Sequence, residues 1–380
     1  MLRKGTFILM KTKIQDMTSG SPGRLIILFA IPLMLGNICQ QLYTMVDTMV
    51  VGQVAGVEAL AALGAVDFLM WVVTGISTGL TQGFSIQLSQ YYGAKDFENL
   101  RKSLAHSYRL TAFIAAGVLI LSQSFASLVL TGLHTPSNII GMSLLYLRII
   151  FCGIPATAAY NMFASALRAM GNSKTPLTAM IIASVLNVSL DILFVAGFGW
   201  GVAGAAIATV IAQSFSAVYC FLILRRIDIV HLTRADFMPA SGMNARLMKL
   251  GIPVVFQNII IGVGGLVVQY VINGYGFLFV AGFTATNKLY GLLEMAAISY
   301  GYAIVTYVGQ NLGAGKIDRI RKGVRSSMLL SLLTSLIISA AMFLFGKNIL
   351  SLFISGEPQQ TQQVLAIAFK YLSIMAAMLW

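Results

Sequence analysis

The sequence predicts an all-α polytopic membrane protein made of two parallel six-helix repeats, the second of them cut short. Three observations carry this: apolar runs long enough to cross a bilayer, basic residues confined to alternate connections, and an internal repeat at constant offset. Of the 380 residues 58% are hydrophobic and only 10% charged, and the mean hydropathy is +0.84. Such values belong to a chain whose solvent is lipid.

A membrane helix needs about 20 mostly apolar residues. Ten runs meet this, near 25–50, 60–84, 104–133, 139–167, 175–198, 201–224, 250–272, 282–306, 327–353 and from about 362 to the end. They are continuous and lack period-2 alternation, which excludes a β-barrel. The 36 glycines suit close helix packing in lipid. Arg3 and Lys4 precede only a short apolar patch with no cleavage site after it, so the first span itself is expected to direct insertion. Cys39, Cys152 and Cys220 lie inside apolar runs without metal-ligand or disulfide spacing and read as packing residues.

A formal charge of +13 could point to nucleic acid, but its placement argues against that. Twenty-one of the 25 Lys and Arg fall before span 1 or around the 2–3, 4–5, 6–7 and 8–9 connections. The alternate connections, around 52–59, 134–138, 199–200, 273–281 and 354–361, contain none. By the positive-inside rule the N-terminus and the basic loops are expected in the cytoplasm, with the chain multi-pass in the cell membrane. The bilayer is then the partner that the charge reports.

The repeat appears in the loops. QYYGAKDFENLRK at 90–102 matches QNLGAGKIDRIRK at 310–322 at an offset of 220, pairing Gln90 with Gln310 and Gly93 with Gly313. AIP at 30–32 aligns with GIP at 251–253, and Asp67 falls opposite Asn287. Six spans separate equivalent points, so both halves share one orientation, a parallel repeat about the membrane normal. The expected layout is an N-terminal segment over 1–24, a first lobe over 25–226, a linker over 227–249 and an incomplete second lobe over 250–380. Closing the second repeat at twelve spans would need roughly 450 residues, which reads this chain as a fragment.

Within the spans, ionisable residues are the chemical signal, because each costs about 2.5–3.5 kcal/mol at membrane depth and marks ion or substrate pathways. In QQLYTMVDTMVVG (40–52), Gln40, Tyr43 and Thr44 precede Asp47 at helical spacing, a polar stripe on an apolar helix. In IIASVLNVSLDILFV (181–195), Ser184, Asn187 and Asp191 repeat the pattern. Two carboxylates of one lobe are therefore the candidate coupling site. Removal from water and a neighbouring carboxylate both favour the protonated acid, and carboxylate, amide and hydroxyl oxygens also suit a monovalent cation. In span 8, Asn287, Gly291 and Glu294 share a face, so Glu294 is a candidate cavity acid or the partner of Lys288 or Arg148. Asp67 reads as interfacial, His106 as a packing residue, and Pro32, Pro155 and Pro253 as kinks or packing devices.

PLMLGNICQQLYTMVDTMVVG, LAALGAV, the QYYGAK and QNLGAGK loops and LRAMGNSKTP at 167–176 together resemble the multidrug and toxic compound extrusion (MATE) family over essentially the whole chain. The resemblance implies two six-helix lobes in a V around a central cavity, exporting organic cations in exchange for H+ or Na+, with no other cofactor. It also implies a first-lobe ion site formed by Asp47, Asp191, Asn187 and Thr209, which is where Na+ would bind, with Tyr146 a weaker transfer beside Gln40, Tyr43, Asn287 and Glu294 in the cavity. One departure is that span 7, IPVVFQNIIIGVGGLVVQYVI, carries no acid, although some branches of the family place one there. Coupling is therefore expected in the first lobe, or with Glu294 substituting.

The runner-up is a flippase for lipid-linked precursors, which would want several cavity arginines, whereas only Arg148 and Lys288 lie deep in spans. A passive channel is disfavoured because no filter motif such as TVGYG occurs. With no nucleotide loop, metal-ligand cluster or catalytic triad in the sequence, an enzyme is not expected, nor is a nucleic-acid partner. The expected form is a monomer.

Overall fold

The computed structural model describes residues 14–133, 135–273, 275, 277–351 and 358–378, and among these there is no strand. Twelve α-helices follow one another: α1 Pro22–Val54, α2 Val57–Gly64, α3 Asp67–Gly93, α4 Phe97–Gly132, α5 Ile140–Cys152, α6 Ile154–Ala169, α7 Lys174–Asp191, α8 Gly201–Leu224, α9 Met243–Asn273, α10 Phe277–Gly313, α11 Ile317–Ser351 and α12 Pro358–Ala377. Within the described residues, each of the ten apolar runs falls on one helix or one broken pair of these. Among the described residues seven helices are long and apolar enough to cross a membrane singly, and two bent pairs bring the number to nine; the apolar part of α12, Gln362–Ala377, is shorter.

Two spans expected to be continuous are broken. The second is α2 and α3, bent by 40°, and the fourth is α5 and α6, bent by 46°. The second break has a local cause. Gly153 separates the helices and Pro155 sits in the first turn of α6, where its missing N–H and fixed φ are tolerated. Pro32 and Pro253, by contrast, lie inside the unbroken α1 and α9.

The termini follow from capping chemistry. The Asp96 side chain caps α4 by accepting from the Asn99 amide at 3.1 Å. In the connection after α8, Thr233 and Asp236 form a reciprocal capping box, and Arg101 reaches Asp236 at 3.8 Å. His106 is buried beside this connection, its ring nitrogens 2.7 Å from the Asn244 side chain and 3.1 Å from the Met238 carbonyl. That is the packing role its position predicted.

The repeats join through glycine contacts. Gly75, Gly79 and Gly83 recur every fourth residue on the face of α3 against α9. A Cβ on Gly79 would meet the Val255 backbone at 2.9 Å, one on Gly83 would collide with the Gly251 backbone, and Asn258 donates to the Gly75 carbonyl at 3.1 Å. This is small-residue packing of membrane helices, in which missing side chains let backbones approach. At the end bearing the basic loops the contact becomes reciprocal. A Cβ on Gly93 would strike the Gln310 carbonyl, and one on Gly313 would strike the Gln90 carbonyl. The residues matched by the repeat thus meet each other across it.

The segment before α1 seals this end. Buried Gln310 accepts from the Met17 amide at 3.0 Å and donates to the Ala169 carbonyl at 2.8 Å. Asn311 donates to the Met17 carbonyl at 2.9 Å, Arg319 to the Gly20 carbonyl at 2.9 Å and Lys316 to the Thr18 carbonyl at 2.8 Å. The Gln15 amide meets the Gly171 carbonyl at 3.1 Å, so the segment touches both halves of the chain.

Candidate ion and substrate site

Away from the sealed end, α1 packs against α7, and α7 packs against α8. Asp47 of α1 is 5% exposed, while Asn187 and Asp191 of α7 are both 0% exposed. The Asn187 amide donates to the Thr209 hydroxyl of α8 at 3.4 Å, and Gln213, one turn further along α8, donates to the Tyr43 hydroxyl of α1 at 3.3 Å. Asp47, Asp191, Tyr43 and the buried Tyr146 of α5 lie within electrostatic reach of one another, and Asp67 at the start of α3 lies within reach of Asp47. Three of the four residues of the expected ion site are thus buried together with Tyr43 and Tyr146, and the half-buried Thr209 is bonded to one of them.

Backbone geometry sharpens the position of Asp191. It ends the α-helix, and Ile192–Gly197 continues as a π-helical turn, an irregularity common at functional sites. Phe194, Phe198 and Trp200 pack ring against ring just beyond.

What the cluster lacks is donors. Ten buried side-chain N and O atoms have no hydrogen-bond partner among the described residues, and five of them are here: Asp47 Oδ1, Asn187 Oδ1, both Asp191 carboxylate oxygens and Gln213 Oε1. All five are acceptors. Buried acceptors without donors are costly, and a proton or a hard cation is the species that satisfies oxygen-only surroundings. Among the described residues there is no group of three or more His, Cys, Asp or Glu suited to a metal ion; of the five oxygens, three come from the two acids and two from amides.

Sequence reasoning missed Gln213. The signal was available as Thr209, Gln213 and Ser216 at helical spacing along α8. It also undervalued Asp67, which reads as interfacial by position and yet, although exposed, lies within electrostatic reach of Asp47.

Of the remaining candidates, Gln40 adjoins the cluster through the Tyr43 hydroxyl, while Asn287 and Glu294 stand on another helix, α10. Gln40 and Thr44 are exposed, on the side of α1 opposite its exposed apolar stripe of Leu28, Ile31, Leu35, Leu42 and Met49. One side suits lipid and the other a watery cleft. Asn37 of α1 donates to Ser299 of α10 at 3.2 Å. From that crossing Gln40 is about 4.5 Å further along α1 and Glu294 about 7.5 Å further along α10, both away from the sealed end. Glu294 is exposed and Asn287 half-buried; Tyr290 lies within electrostatic reach of Glu294. No ion pair joins Glu294 to Arg148 among the described residues, and the side chain of Lys288 lies outside them. Arg148 does not line the cleft; it is exposed beside Gln123 of α4.

The chain as a whole has relatives among known proteins. The MatE family model matches residues 32–193 and 253–379. The Bacillus subtilis protein described as probable multidrug resistance protein YpnP is 31% identical over 363 residues, covering 94% of this chain and 81% of its own length. The probable multidrug resistance protein NorM of Thermotoga maritima is 26% identical, covering 88% and 72%. Among solved structures, a MATE protein in complex with MaL6 superposes with a TM-score of 0.90 at 22% identity, over 97% of this chain and 82% of that one. An outward-facing MATE family multidrug resistance transporter of the MOP superfamily gives 0.89 at 22% identity, over 98% and 82%. The fold, the two matched segments and the sequence relatives agree: this chain belongs to the MatE family of multidrug efflux transporters.

Proposed function

We propose that the chain is a secondary active antiporter that exports organic cations in exchange for H+ or Na+, with the coupling ion held by Asp47 and Asp191 together with Asn187 and Thr209. The observation that carries this reading is the cluster of five unpartnered buried acceptor oxygens between α1, α7 and α8. A proton on either acid turns an acceptor into a donor, and a bound Na+ meets oxygens without needing any donor. Gln213 and Tyr43 belong to the same polar unit and hold α1 against α8.

The substrate would enter the cleft lined by Gln40 and Thr44 of α1 and by Asn287 and Glu294 of α10. Glu294 gives this cleft a negative charge that attracts cations and disfavours pyrophosphate; the side chain of Lys288, next to Asn287 on α10, lies outside the described residues. The flippase reading wants several cavity arginines, and Arg148, one of the two deeply placed cations, lies elsewhere. The names of the relatives, multidrug resistance and multidrug export proteins, support drug export as the activity. The basic loops orient the sealed end toward the cytoplasm, so the cleft opens outward across the cell membrane. Alternating access then requires parting the glycine contacts and the hydrogen bonds around Gln310, while ion and substrate bias the exchange from the far end of the same helices.

The test is efflux of a fluorescent organic cation from membrane vesicles under separately imposed proton and sodium gradients, for the wild type and for Asp47→Asn and Asp191→Asn. Gradient-driven efflux by the wild type that both variants lose is the expected result, and the effective gradient names the ion. Efflux by correctly inserted variants at the wild-type rate would overturn the site.

A further inference from the structure

Arg148 has no role in the exchange proposed above, and its surroundings are unusual for a cation. It lies eight residues into the broken fourth span, about 12 Å from the Ile140 end of α5 and so at hydrocarbon depth. It is exposed, and among the described residues its guanidinium has no hydrogen-bond or ion-pair partner. Its neighbour Gln123 uses its amide to tie α4 to α5, donating to the Arg148 carbonyl at 2.8 Å and contacting Cys152 Sγ at 3.3 Å. On the same flank α4 exposes Ile120, Leu121, Phe125 and Leu128, a surface that only lipid covers comfortably. A guanidinium in that setting is costly unless an anion meets it.

A trough leads away from it. Leu119, Ile120, Ser124 and Ile149 line the hollow around Arg148. Leu119 also lines a second, apolar cavity of about 400 Å³ between α4 and α6, where Ala112, Ala116 and Ala159 leave room and Phe163 and Phe221 form the wall. The bend at Gly153 and Pro155 breaks the span beside it. From Gln123 to Tyr108 along α4 the two hollows extend about 22 Å, the reach of a fatty-acyl chain.

We infer that this flank binds a phospholipid with an anionic headgroup, its phosphate paired with Arg148 and one acyl chain lying in the trough between α4 and α6. Charge complementarity selects the occupant: the organic cations assigned to the cleft are repelled by Arg148, whereas a phosphodiester forms charge-assisted hydrogen bonds with a guanidinium. The site lies on the lipid flank of α4 and α5, away from Asp47 and Asp191, so it stands or falls independently of the coupling site.

The test is native mass spectrometry of the full chain, delipidated in detergent and then titrated with phosphatidylglycerol or with phosphatidylcholine of the same acyl chains. The wild type is expected to retain phosphatidylglycerol severalfold better than phosphatidylcholine. Arg148→Gln should lose that preference, Arg148→Lys should keep most of it, and Ala116→Trp, which fills the trough from its exposed side, should weaken retention of both lipids. Equal retention of the two lipids by the wild type would overturn the proposal, as would an undiminished preference in Arg148→Gln. If Arg148→Gln does not fold, the Ala116→Trp and Arg148→Lys arms decide, and unchanged retention in Ala116→Trp refutes the trough.

Discussion

Helices α1 and α9 occupy equivalent places in the repeat, and they differ in what they bring to membrane depth. Aligned on AIP and GIP, Asp47 of α1 falls opposite Val268 of α9. Asp47 is buried among the acceptor oxygens of α7 and α8, while Val268 is 47% exposed in a run of aliphatic residues. At the basic end the two halves match closely, with Gly93 and Gly313 each seated on the other repeat's glutamine carbonyl. Duplication has thus kept the packing that joins the halves and left the buried acids in one of them. A symmetric scaffold needs no symmetric chemistry.

That contrast can be broken most severely at the acids. Asp47→Val should lower gradient-driven efflux by more than about a hundredfold, because no other group on α1 supplies a buried carboxylate. Adding Val268→Asp should not restore it, since the new acid faces no amide or hydroxyl cluster and carries an insertion cost of about 3 kcal/mol. Recovery of transport in the double variant, with normal insertion, would show that either repeat can host coupling.

The symmetric end gives the next largest effect. Gly93→Ala and Gly313→Ala should each destabilise the sealed arrangement by about 1–3 kcal/mol, because the added methyl meets a backbone carbonyl that cannot swing aside. Thermal unfolding in detergent and maleimide labelling of a cysteine placed behind the contact would report this. Similar shifts for the two variants sharpen the equivalence, and a large effect of only one would break it.

Within the first repeat, Thr209→Val should be milder. The Asn187–Thr209 hydrogen bond is long at 3.4 Å, and membrane polar pairs average about 0.6 kcal/mol. The half-saturating ion concentration should rise a few-fold with the maximal efflux rate retained. A complete loss would mean that the hydroxyl is indispensable to the ion.

The smallest effect lies in the segment that seals the halves together. Partial burial pushes the Asp16 carboxyl up, but hydrogen bonds from the Thr18 side chain and amide and from Ser19, with the charge of Lys316 nearby, outweigh it and hold the group below the ordinary value of 3.8. The folded chain therefore binds fewer protons here than the unfolded one. The contribution is complete above pH 3.8 and is lost as the pH falls through the folded value. Asp16→Asn should remove that acid sensitivity by giving up the small contribution at neutral pH, so that variant and wild type converge in acid, as a pH series of unfolding temperatures would show.

Much of this was legible in residue order. Hydropathy runs placed all ten apolar segments, because lipid imposes length and apolarity on each helix independently of its neighbours. Helical spacing put Asp47 and Asp191 on polar faces, and the GA loops disclosed the repeat. Other features escaped. The break at Gly153 was left open, since Pro155 reads equally as a kink or as a packing device, which is what Pro32 is in α1. Gln213 passed as ordinary helix polarity, and Arg148 was assigned to the interior because depth along a span says nothing about which side of the bundle a residue faces.

By itself, then, the sequence determined the membrane as solvent, the number and order of the apolar segments, the duplication and the two acids. Those are properties of single helices, set by composition and by a period of 3.6 residues. Only the tertiary structure decided that five acceptor oxygens from α1, α7 and α8 converge without donors, that Glu294 stands apart from them, and that Arg148 looks outward. Each depends on the rotation of one helix about its axis against its neighbours, and that angle is set by packing between segments far apart in the chain, such as the glycine face of α3 against α9.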